Sequence, residues 1–406
     1  MLRLAIVGDV HLQEKSHRFE HTLDVLDWII DDFQQSIQRF QGDAGAVFCG
    51  DISEGNPSPR EYFQFIRRLN RLDGVLDNAV GHYAIGIVRG NHESLDAVSV
   101  FELLGPSFVV ADSKFERMEF MDARVLLVPY PRRGHPPFDA MPGVEASIQD
   151  SFKASSDIIA AAIQRQASEL SLGPAPVLVV GHFTIEGMTT RDTEFEQHHG
   201  TEVVVPRSSL AGATLVAVGH VHRPQEWRNG TWIDPRDSDV VLPVADPVLL
   251  GVGSIIRNSF SEAEDKKSYT IVTMNQRSLM WERRSLPVRD MVEIHVGFDD
   301  AAEQIEQLAA AIPENKAEIK VVLSLRDVDR PLLNESIFAP LRDRALHFAW
   351  EPKTTSTQRV RAPQVSATAQ LKHQFDEWAK ATGLQIEKDQ LVRINRKLDG
   401  LEAIED

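Results

Sequence analysis

The sequence predicts a layered α/β protein in which the strands of a sheet alternate with helices. Short apolar runs rich in β-branched residues alternate along the chain with longer segments whose apolar residues recur at helical spacing. Several of the apolar runs end at glycine followed by Asp, Asn or His. Polar side chains would therefore collect along one edge of the sheet, where ligands bind in such folds.

The first two thirds of the chain supply the main strands and helices of this prediction. Strands are predicted over residues 2–7, 46–49, 84–88, 125–128, 177–180 and 215–218. Helices are predicted between them over residues 21–40, after Pro59, and over 156–172. Pro57 and Pro59 mark the loop before the second helix, which is basic on one side. Residues 269–274 alternate in polarity, and residues 279–283 are expected to pair with them.

The rest of the chain predicts a smaller α/β unit, a linker and two short amphipathic helices. In the smaller unit, strands are expected over 292–296, 319–325 and 346–350, and helices over 301–312 and 330–344. The predicted domains are residues 1–288, a small α/β domain at 289–352, a linker at 353–365 and C-terminal helices at 366–406.

Composition and charge limit the class of protein. The 406 residues are 42% hydrophobic and 25% charged, as in soluble globular proteins, and no apolar run approaches the ~20 residues that span a bilayer. The net charge of -17 argues against a broad basic surface for nucleic acid, although a local basic groove remains open. The N-terminus has no signal-peptide layout, and Cys49, in an apolar run, is expected to be a buried thiol. A cytoplasmic location without membrane contact is therefore expected.

Five strand ends carry the residues that suggest chemistry: Asp9 and His11, Asp51, Asn91 and His92, His182, and His220 and His222. Two residues at i and i+2 on extended backbone share a face, so each such pair can reach one ligand. Carboxylate, amide and imidazole groups suit two Mn²⁺, Fe²⁺ or Zn²⁺ ions better than a structural zinc site, which favours thiolates. Two metals ~3.5–4 Å apart hydrolyse phosphate esters in many enzymes. His92, beside an expected ligand, could then protonate the leaving oxygen.

The ordered motifs Asp-X-His, Gly-Asp, Gly-Asn-His, Gly-His and Gly-His-X-His resemble those of the calcineurin-like metallophosphoesterase superfamily, over about residues 1–285. Within that superfamily the chain resembles the SbcD-type double-strand-break repair nuclease subunits of bacteria and phage. Residues 50–60, 128–133 and 250–262 support this narrower match. The resemblance implies a β-sandwich flanked by helices, and Mn²⁺-dependent exonuclease and endonuclease action on DNA.

The resemblance also implies a role for each motif residue. The ligand sets it implies are Asp9, His11 and His222 for one metal, and Asn91, His182 and His220 for the other. Asp51 would bridge the two metals, and His92 would be the catalytic acid or transition-state donor. The cofactor would be two divalent ions, with Mn²⁺ preferred and Mg²⁺, Fe²⁺ or Zn²⁺ as alternatives.

The partners implied by the resemblance are DNA, a second copy of the nuclease subunit and an SbcC-type coiled-coil ATPase. The small domain would match the DNA-capping domain of these nucleases, and the C-terminal helices would match the segment that docks on the ATPase. Because DNA presents phosphates near the cleavage site, backbone contacts are predicted at nearby arginines. These are Arg60, Arg89, Arg132, Arg133 and Arg223.

Two positions depart from the family pattern. Glu93 stands where the Gly-Asn-His motif usually continues with Asp, and Glu54 stands where many members have a second active-site histidine. Both are expected to support the ligands from behind, and they put in question how the exonuclease step is assisted.

Two other functions remain open from the sequence. A phosphatase or a cyclic-nucleotide phosphodiesterase could use the same metal residues, although such an enzyme needs no chain beyond residue 285. A non-catalytic scaffold on a decayed phosphoesterase fold is the third hypothesis, but decay should remove ligands, and every expected ligand position is filled.

Overall fold

The strands and helices of the chain follow most of the predicted boundaries. The computed structural model describes residues 1–79, 82–131, 152–189, 203–326 and 329–354, with isolated positions at 375 and 394. The helices are α1 (Phe19–Ile37), α2 (Pro59–Ala79), α3 (Phe152–Leu170), α4 (Ala301–Ala311) and α5 (Ala339–Arg342). The strands are β1 (Leu2–Val7), β2 (Asp43–Phe48), β3 (Tyr83–Val88), β4 (Phe108–Ala111), β5 (Glu116–Glu119), β6 (Arg124–Val128), β7 (Val177–His182), β8 (Thr184–Ile185), β9 (Val204–Val205), β10 (Leu215–Gly219), β11 (Gln225–Arg228), β12 (Thr231–Ile233), β13 (Ser238–Val241), β14 (Val248–Gly251), β15 (Ser268–Met274), β16 (Ser278–Ser285), β17 (Asp290–Gly297), β18 (Ala317–Leu325) and β19 (His347–Thr354).

Most of these strands belong to two seven-stranded mixed sheets. The first sheet has the order β13-β16-β15-β1-β2-β3-β4, and the second has the order β12-β11-β14-β10-β7-β6-β5. In the first sheet β1 to β4 run parallel, and in the second β6, β7, β10 and β14 run parallel. Antiparallel strands extend the parallel block of the first sheet on one side and that of the second sheet on both sides.

The alternation of side chains along the strands defines four layers. Leu4 and Ile6 of β1 belong to one buried cluster with Leu178 and Val180 of β7, so the two sheets pack face to face. The opposite faces are covered by helices. The residues concerned are Ala5 and Val7 with Leu23 and Leu26 of α1, and Val177 and Val179 with Ile159 and Ile163 of α3. The order is helix, sheet, sheet, helix, which confirms the expected β-sandwich flanked by helices.

The structure corrects two expectations from the sequence. The parallel strands do not form one sheet but are divided between two. The sequence could not distinguish the two arrangements, because a fully buried strand has the same apolar pattern in either sheet. The helix expected over 330–344 is instead two short 3-10 turns followed by α5. Pro331 and Pro340 lie within that range, and proline lacks the amide hydrogen that a continuous helix needs.

The chain divides into two compact units. The larger contains residues 1–293, 313–320 and 345–348, and the smaller contains 294–312, 321–344 and the described part of 349–406. The strands β17, β18 and β19 form a separate three-stranded sheet. The predicted linker beyond residue 354 and the C-terminal helices lie outside the described ranges. Within those ranges, no helix has the length and apolar character required to cross a bilayer.

Removing the Glu318 carboxylate should destabilise the larger unit. Glu318 is buried, and its Oε2 accepts hydrogen bonds from Arg18 Nε at 2.9 Å and Arg18 Nη2 at 2.7 Å. His17 Nε2 lies 3.0 Å from the same Glu318 oxygen. Glu318→Gln leaves the Arg18 guanidinium without its counter-ion, so we expect a loss of about 3 kcal/mol in the free energy of unfolding. Urea unfolding measures it, with the exposed Glu169→Gln as control.

The stabilisation by the ion pair of Arg18 and Glu318 should depend on pH. Burial alone would raise the pKa of Glu318, but Arg18 and His17 hold it below its ordinary value of 4.5. The stabilisation by the Glu318 carboxylate is therefore fully present above its ordinary pKa of 4.5 and is lost as the pH falls through its lowered pKa. The difference between Glu318→Gln and the unchanged chain should shrink in acid; a difference that stayed constant or grew would contradict the assignment.

Candidate metal centre

The loops that follow the parallel strands of both sheets meet at one place. From the first sheet, Asp9 and His11 follow β1, Asp51 follows β2, and Asn91 and His92 follow β3. From the second sheet, His182 ends β7, and His220 and His222 follow β10. The site predicted at the edge of one sheet is therefore built from the adjacent edges of two sheets, since the face-to-face packing brings their strand ends together.

Within this site, one group of ligand atoms comes from Asp9, His11 and His222. These atoms lie within 4.8 Å of one another. His11 Nε2 is 2.9 Å from His222 Nε2, and His222 Nε2 is 3.9 Å from Asp9 Oδ2. Asp9 and His11 are buried, so the two imidazoles and the carboxylate converge in a space with little exposure to water.

A second group of ligand atoms, again within 4.8 Å, comes from Asp51, His182 and His220. His182 Nε2 lies 3.1 Å from Asp51 Oδ2 and 2.8 Å from Asn91 Oδ1. His220 Nδ1 also lies 2.8 Å from Asn91 Oδ1. Because Asp51 Oδ2 is 3.8 Å from His11 Nε2 as well, its carboxylate lies between the two groups.

The protonation pattern of His11 and His222 fits a bound cation. His11 Nδ1 is 2.6 Å from Glu54 Oε2, and His222 Nδ1 is 3.0 Å from Glu262 Oε1. A carboxylate only accepts hydrogen bonds, so in the neutral rings each Nδ1 carries the hydrogen and each Nε2 has the lone pair. Two lone pairs facing each other at 2.9 Å repel unless a positive charge lies against them. The donor set therefore suits a divalent metal.

Protons can supply that positive charge in the metal-free protein. Burial disfavours the imidazolium of His11, but Glu54, Asp51 and Asp9 outweigh burial and raise its pKa to about 9. Burial likewise opposes the imidazolium of His182, and Asp51 and Asp9 raise its pKa to about 9. Metal and protons should therefore compete for the same nitrogens.

The pKa values of Asp51 and Glu93 are shifted in opposite directions although both side chains are buried. Burial would raise the pKa of Asp51, yet His182 and His11 hold it well below its usual range. For Glu93, burial and the nearby Asp51 raise the pKa to about 7. Glu93 accepts hydrogen bonds from the backbone N–H groups of Ser53 at 3.0 Å and Gly90 at 2.9 Å. It therefore holds two ligand-bearing loops together from behind.

Glycine is required where ligand-bearing loops pass close to a ligand carboxylate. A Cβ atom at Gly90 would lie 1.9 Å from Asp51 Oδ1, and one at Gly219 would lie 2.4 Å from Asp9 Oδ1. Three candidate ligands also adopt backbone conformations with positive φ: His11 at 51°, Asp51 at 46° and His220 at 86°. Strained backbone of this kind concentrates at functional sites.

Gly90→Ala should displace the Asp51 carboxylate and weaken metal binding. The added methyl group would collide with Asp51 Oδ1 at 1.9 Å and with the Asp51 backbone nitrogen at 2.3 Å, so both the side chain and the loop that carries it must shift. We expect the Mn²⁺ affinity to fall by roughly the 10- to 100-fold seen when metal ligands lose their support. Calorimetric titration measures it. Gly74→Ala is the matched control, because a Cβ there meets nothing within 4 Å; an equal affinity for the two variants would contradict the prediction.

The predicted DNA-contacting arginines have different outcomes. The prediction that Arg89 contacts DNA is wrong, because its side chain is 1% exposed. Its guanidinium donates to the carbonyl oxygens of Asp112, Gly90 and Tyr130. A side chain enclosed in this way supports the loops and cannot reach a DNA backbone. Arg60 is 51% exposed and pairs with Glu20, and Arg223 pairs with Asp234. Arg132 and Arg133 lie outside the described residues.

Sequence reasoning gave no role to two groups beside the site. Glu262, which contacts His222, lies in a stretch that supported the family resemblance. Its position relative to the candidate ligands follows no recognisable motif. Tyr130 places its ring 5.3 Å from that of His220 and 5.9 Å from that of His182. Tyr130 follows the strand β6, so the strand-end pattern that pointed to the candidate ligands could also have pointed to it.

Comparisons with known proteins give the family of this chain. The family described as calcineurin-like phosphoesterase matches residues 2–224 of the chain. The SbcD subunit of the nuclease SbcCD from Staphylococcus epidermidis, a curated protein, is 26% identical over 130 residues, which are 32% of this chain and 30% of that protein. The match thus spans less than a third of that relative. One solved structure aligns with 69% of this chain and 98% of its own at 15% identity, with a TM-score of 0.35.

Proposed function

This chain belongs to the calcineurin-like phosphoesterase family, and we propose that it is a metal-dependent DNA nuclease subunit acting in DNA repair or recombination. Its reaction would be hydrolysis of phosphodiester bonds at DNA ends, as an exonuclease and endonuclease. The observation that supports this most directly is the pair of donor groups with the Asp51 carboxylate between them. Two adjacent cations are well suited to displacement at a phosphodiester.

The residues that would hold the cations follow from the two donor groups. Asp9, His11 and His222 would hold one, Asn91, His182 and His220 would hold the other, and Asp51 would be shared. When bound, the two cations, Mn²⁺ by preference, would make a water molecule more acidic and offset the negative charge that develops on the phosphoryl oxygens.

The chain's own residues would orient the cations and move a proton. Asp51 anchors the loop that carries His92, because its Oδ1 accepts the backbone N–H of His92 at 3.1 Å. The His92 ring is one-third exposed, which leaves it accessible to substrate. Its role would be to donate a proton or hydrogen bond to the leaving oxygen as the phosphorus–oxygen bond breaks.

Two observations support DNA rather than a small phosphate ester as substrate. The chain continues beyond the two-sheet unit into further strands and a helix that a small-molecule phosphatase does not need. The relative named as the SbcD component of the nuclease SbcCD also shares part of this sequence. The partners we propose are an SbcC-type ATPase and a second copy of this chain. The net charge of -17 leads us to expect weak DNA binding by the isolated chain.

The test is digestion of end-labelled linear duplex DNA by the purified chain with Mn²⁺, compared with a generic phosphodiester and a phosphomonoester. We expect Mn²⁺-dependent release of label, abolished by a chelator. Hydrolysis of the generic diester without any cleavage of DNA, with or without an SbcC-type partner, would favour a small-molecule phosphodiesterase. Preference for the monoester would favour a phosphatase, and inactivity on all three would favour a scaffold.

A further inference from the structure

A small polar pocket adjoins the candidate metal centre. It has a volume of about 170 Å³, and His11 and Glu54 form part of its wall. Phe19 and Ile256, which are both buried, also line it and supply apolar surface. Apolar surface combined with a few placed polar groups is the usual character of a site for a small organic group. A group bound in this pocket would lie directly beside a molecule held at the metal centre.

The carboxamides of Gln13 and Asn258 line the same pocket. Asn258 Nδ2 is enclosed by the chain and has no hydrogen-bond partner within the described residues. The backbone of Asn258 is fixed, because its N–H donates to Glu262 Oε2 at 3.2 Å and its carbonyl oxygen accepts from Arg18 Nη1 at 2.5 Å. The Gln13 side chain is exposed at the pocket. Because an enclosed N–H without an acceptor is unfavourable, a ligand atom that accepts from Asn258 would bind with a real gain.

The charges around the pocket disfavour a second phosphate group. Arg18 lines the pocket, but its Nε and Nη2 donate to Glu318 Oε2 at 2.9 Å and 2.7 Å. Its guanidinium is therefore already paired with a buried carboxylate. Glu54, whose side chain is 40% exposed, adds a further carboxylate that opposes the entry of an anion. The pocket therefore suits a neutral group that carries both hydrogen-bond donors and acceptors.

We propose that this pocket holds the nucleobase of the nucleotide whose phosphate is hydrolysed at the metal centre. The inference rests on the proposed function and adds a specificity site to it. A nucleobase is a neutral heterocycle with donors and acceptors along its edge, and the carboxamides of Asn and Gln pair with such edges. In this pocket, Asn258 and Gln13 would make those contacts.

The size of the pocket limits what can enter. Its volume of about 170 Å³ lies below the ~300–1,000 Å³ of pockets for drug-sized ligands, so it suits one base and not a base pair. The terminal base of a duplex must therefore leave its partner before it enters, as in enzymes that extrude a nucleotide from the stack.

The experiment compares phosphodiesters that share a nitrophenolate leaving group, hydrolysed by the full chain with Mn²⁺. The substrates are the nitrophenyl esters of thymidine 5′-monophosphate and 3′-monophosphate, the analogues of both in which hydrogen replaces the base, and methyl nitrophenyl phosphate. Because the reacting phosphate is the same, each thymidine ester differs from its analogue only in the base. We expect kcat/KM for one thymidine isomer to exceed that for its analogue, chiefly through a lower KM.

Gln13→Leu and Asn258→Leu should each reduce this advantage of the base by about 3- to 10-fold, the effect of one lost hydrogen bond. Gln13 is exposed, so loss of the fold would be a poor explanation for its effect. Gln34→Leu is the matched control, because Gln34 is an exposed glutamine of α1 that does not line the pocket. It should keep the full advantage of the base.

The outcomes separate this inference from the proposed function. Thymidine esters that react no better than their analogues without a base, or an advantage that survives both leucine substitutions, would overturn the inference. In either case, Mn²⁺-dependent cleavage of DNA would leave the proposed function standing. Inactivity on every diester and on DNA would overturn both.

Discussion

Asp51→Asn should abolish phosphodiester hydrolysis. Asparagine has nearly the same shape as aspartate, so its Oδ1 can still accept the backbone N–H of His92, which lies 3.1 Å from Asp51 Oδ1. The change removes the negative charge of a carboxylate that lies between the two donor groups. The two cations would then repel each other without a shared anion, and one or both would bind poorly. We expect the rate to fall by about 10³-fold or more, at the upper end of what one lost electrostatic contact costs in an active site.

The measurement is Mn²⁺-dependent hydrolysis of linear duplex DNA and of a generic phosphodiester, with metal stoichiometry determined in parallel. Asp43→Asn is the matched control, since Asp43 is a buried carboxylate that accepts the backbone N–H of Met121 at 2.8 Å, away from the donor groups. Circular dichroism would verify that both variants fold. An Asp51→Asn protein that bound two Mn²⁺ and cleaved DNA at the normal rate would refute the bridging assignment.

The candidate ligands could be picked out from the sequence because their positions follow from strand ends. The apolar runs before Gly8-Asp9, Gly50-Asp51 and Gly219-His220 are strong strand signals, and each ends in a polar residue. The glycines have a physical reason that the sequence alone could not supply. At Gly90 and Gly219 a methyl group would collide with the carboxylate of Asp51 or Asp9, which comes from a distant part of the chain.

Other features depend on contacts that no local pattern encodes. The division of strands between two sheets is decided by tertiary packing, and strands as short as β11 and β12 give too few residues for a period to emerge. The sequence favours a surface position for Arg89 because arginine is rarely buried without partners, but three backbone carbonyls surround its guanidinium. Glu262 supports His222 from 40 residues away, and only the folded chain brings the two together.

His92→Gln should slow DNA cleavage without removing metal. His92 belongs to neither main donor group: its Nε2 is 3.9 Å from Asp51 Oδ2, and its Nδ1 is 3.5 Å from Glu54 Oε1. Burial lowers the pKa of His92, so near pH 7 the ring is mostly neutral and still carries one N–H. Glutamine can donate a hydrogen bond but cannot transfer a proton to the departing alkoxide, and we expect kcat to fall by about 10²- to 10⁴-fold.

The leaving group distinguishes a proton donor from a metal ligand at this position. A phosphodiester with a nitrophenolate leaving group needs little protonation, so His92→Gln should slow its hydrolysis far less than that of DNA. The atoms of His11, Glu54 and His92 could alternatively hold a cation of their own. In that case the variant would lose metal, and both substrates would be slowed to a similar extent. His17→Gln, at an imidazole outside the donor groups, serves as the control. Because the His92 ring is one-third exposed and lies outside both main donor groups, unequal losses on the two substrates are the result that the geometry favours.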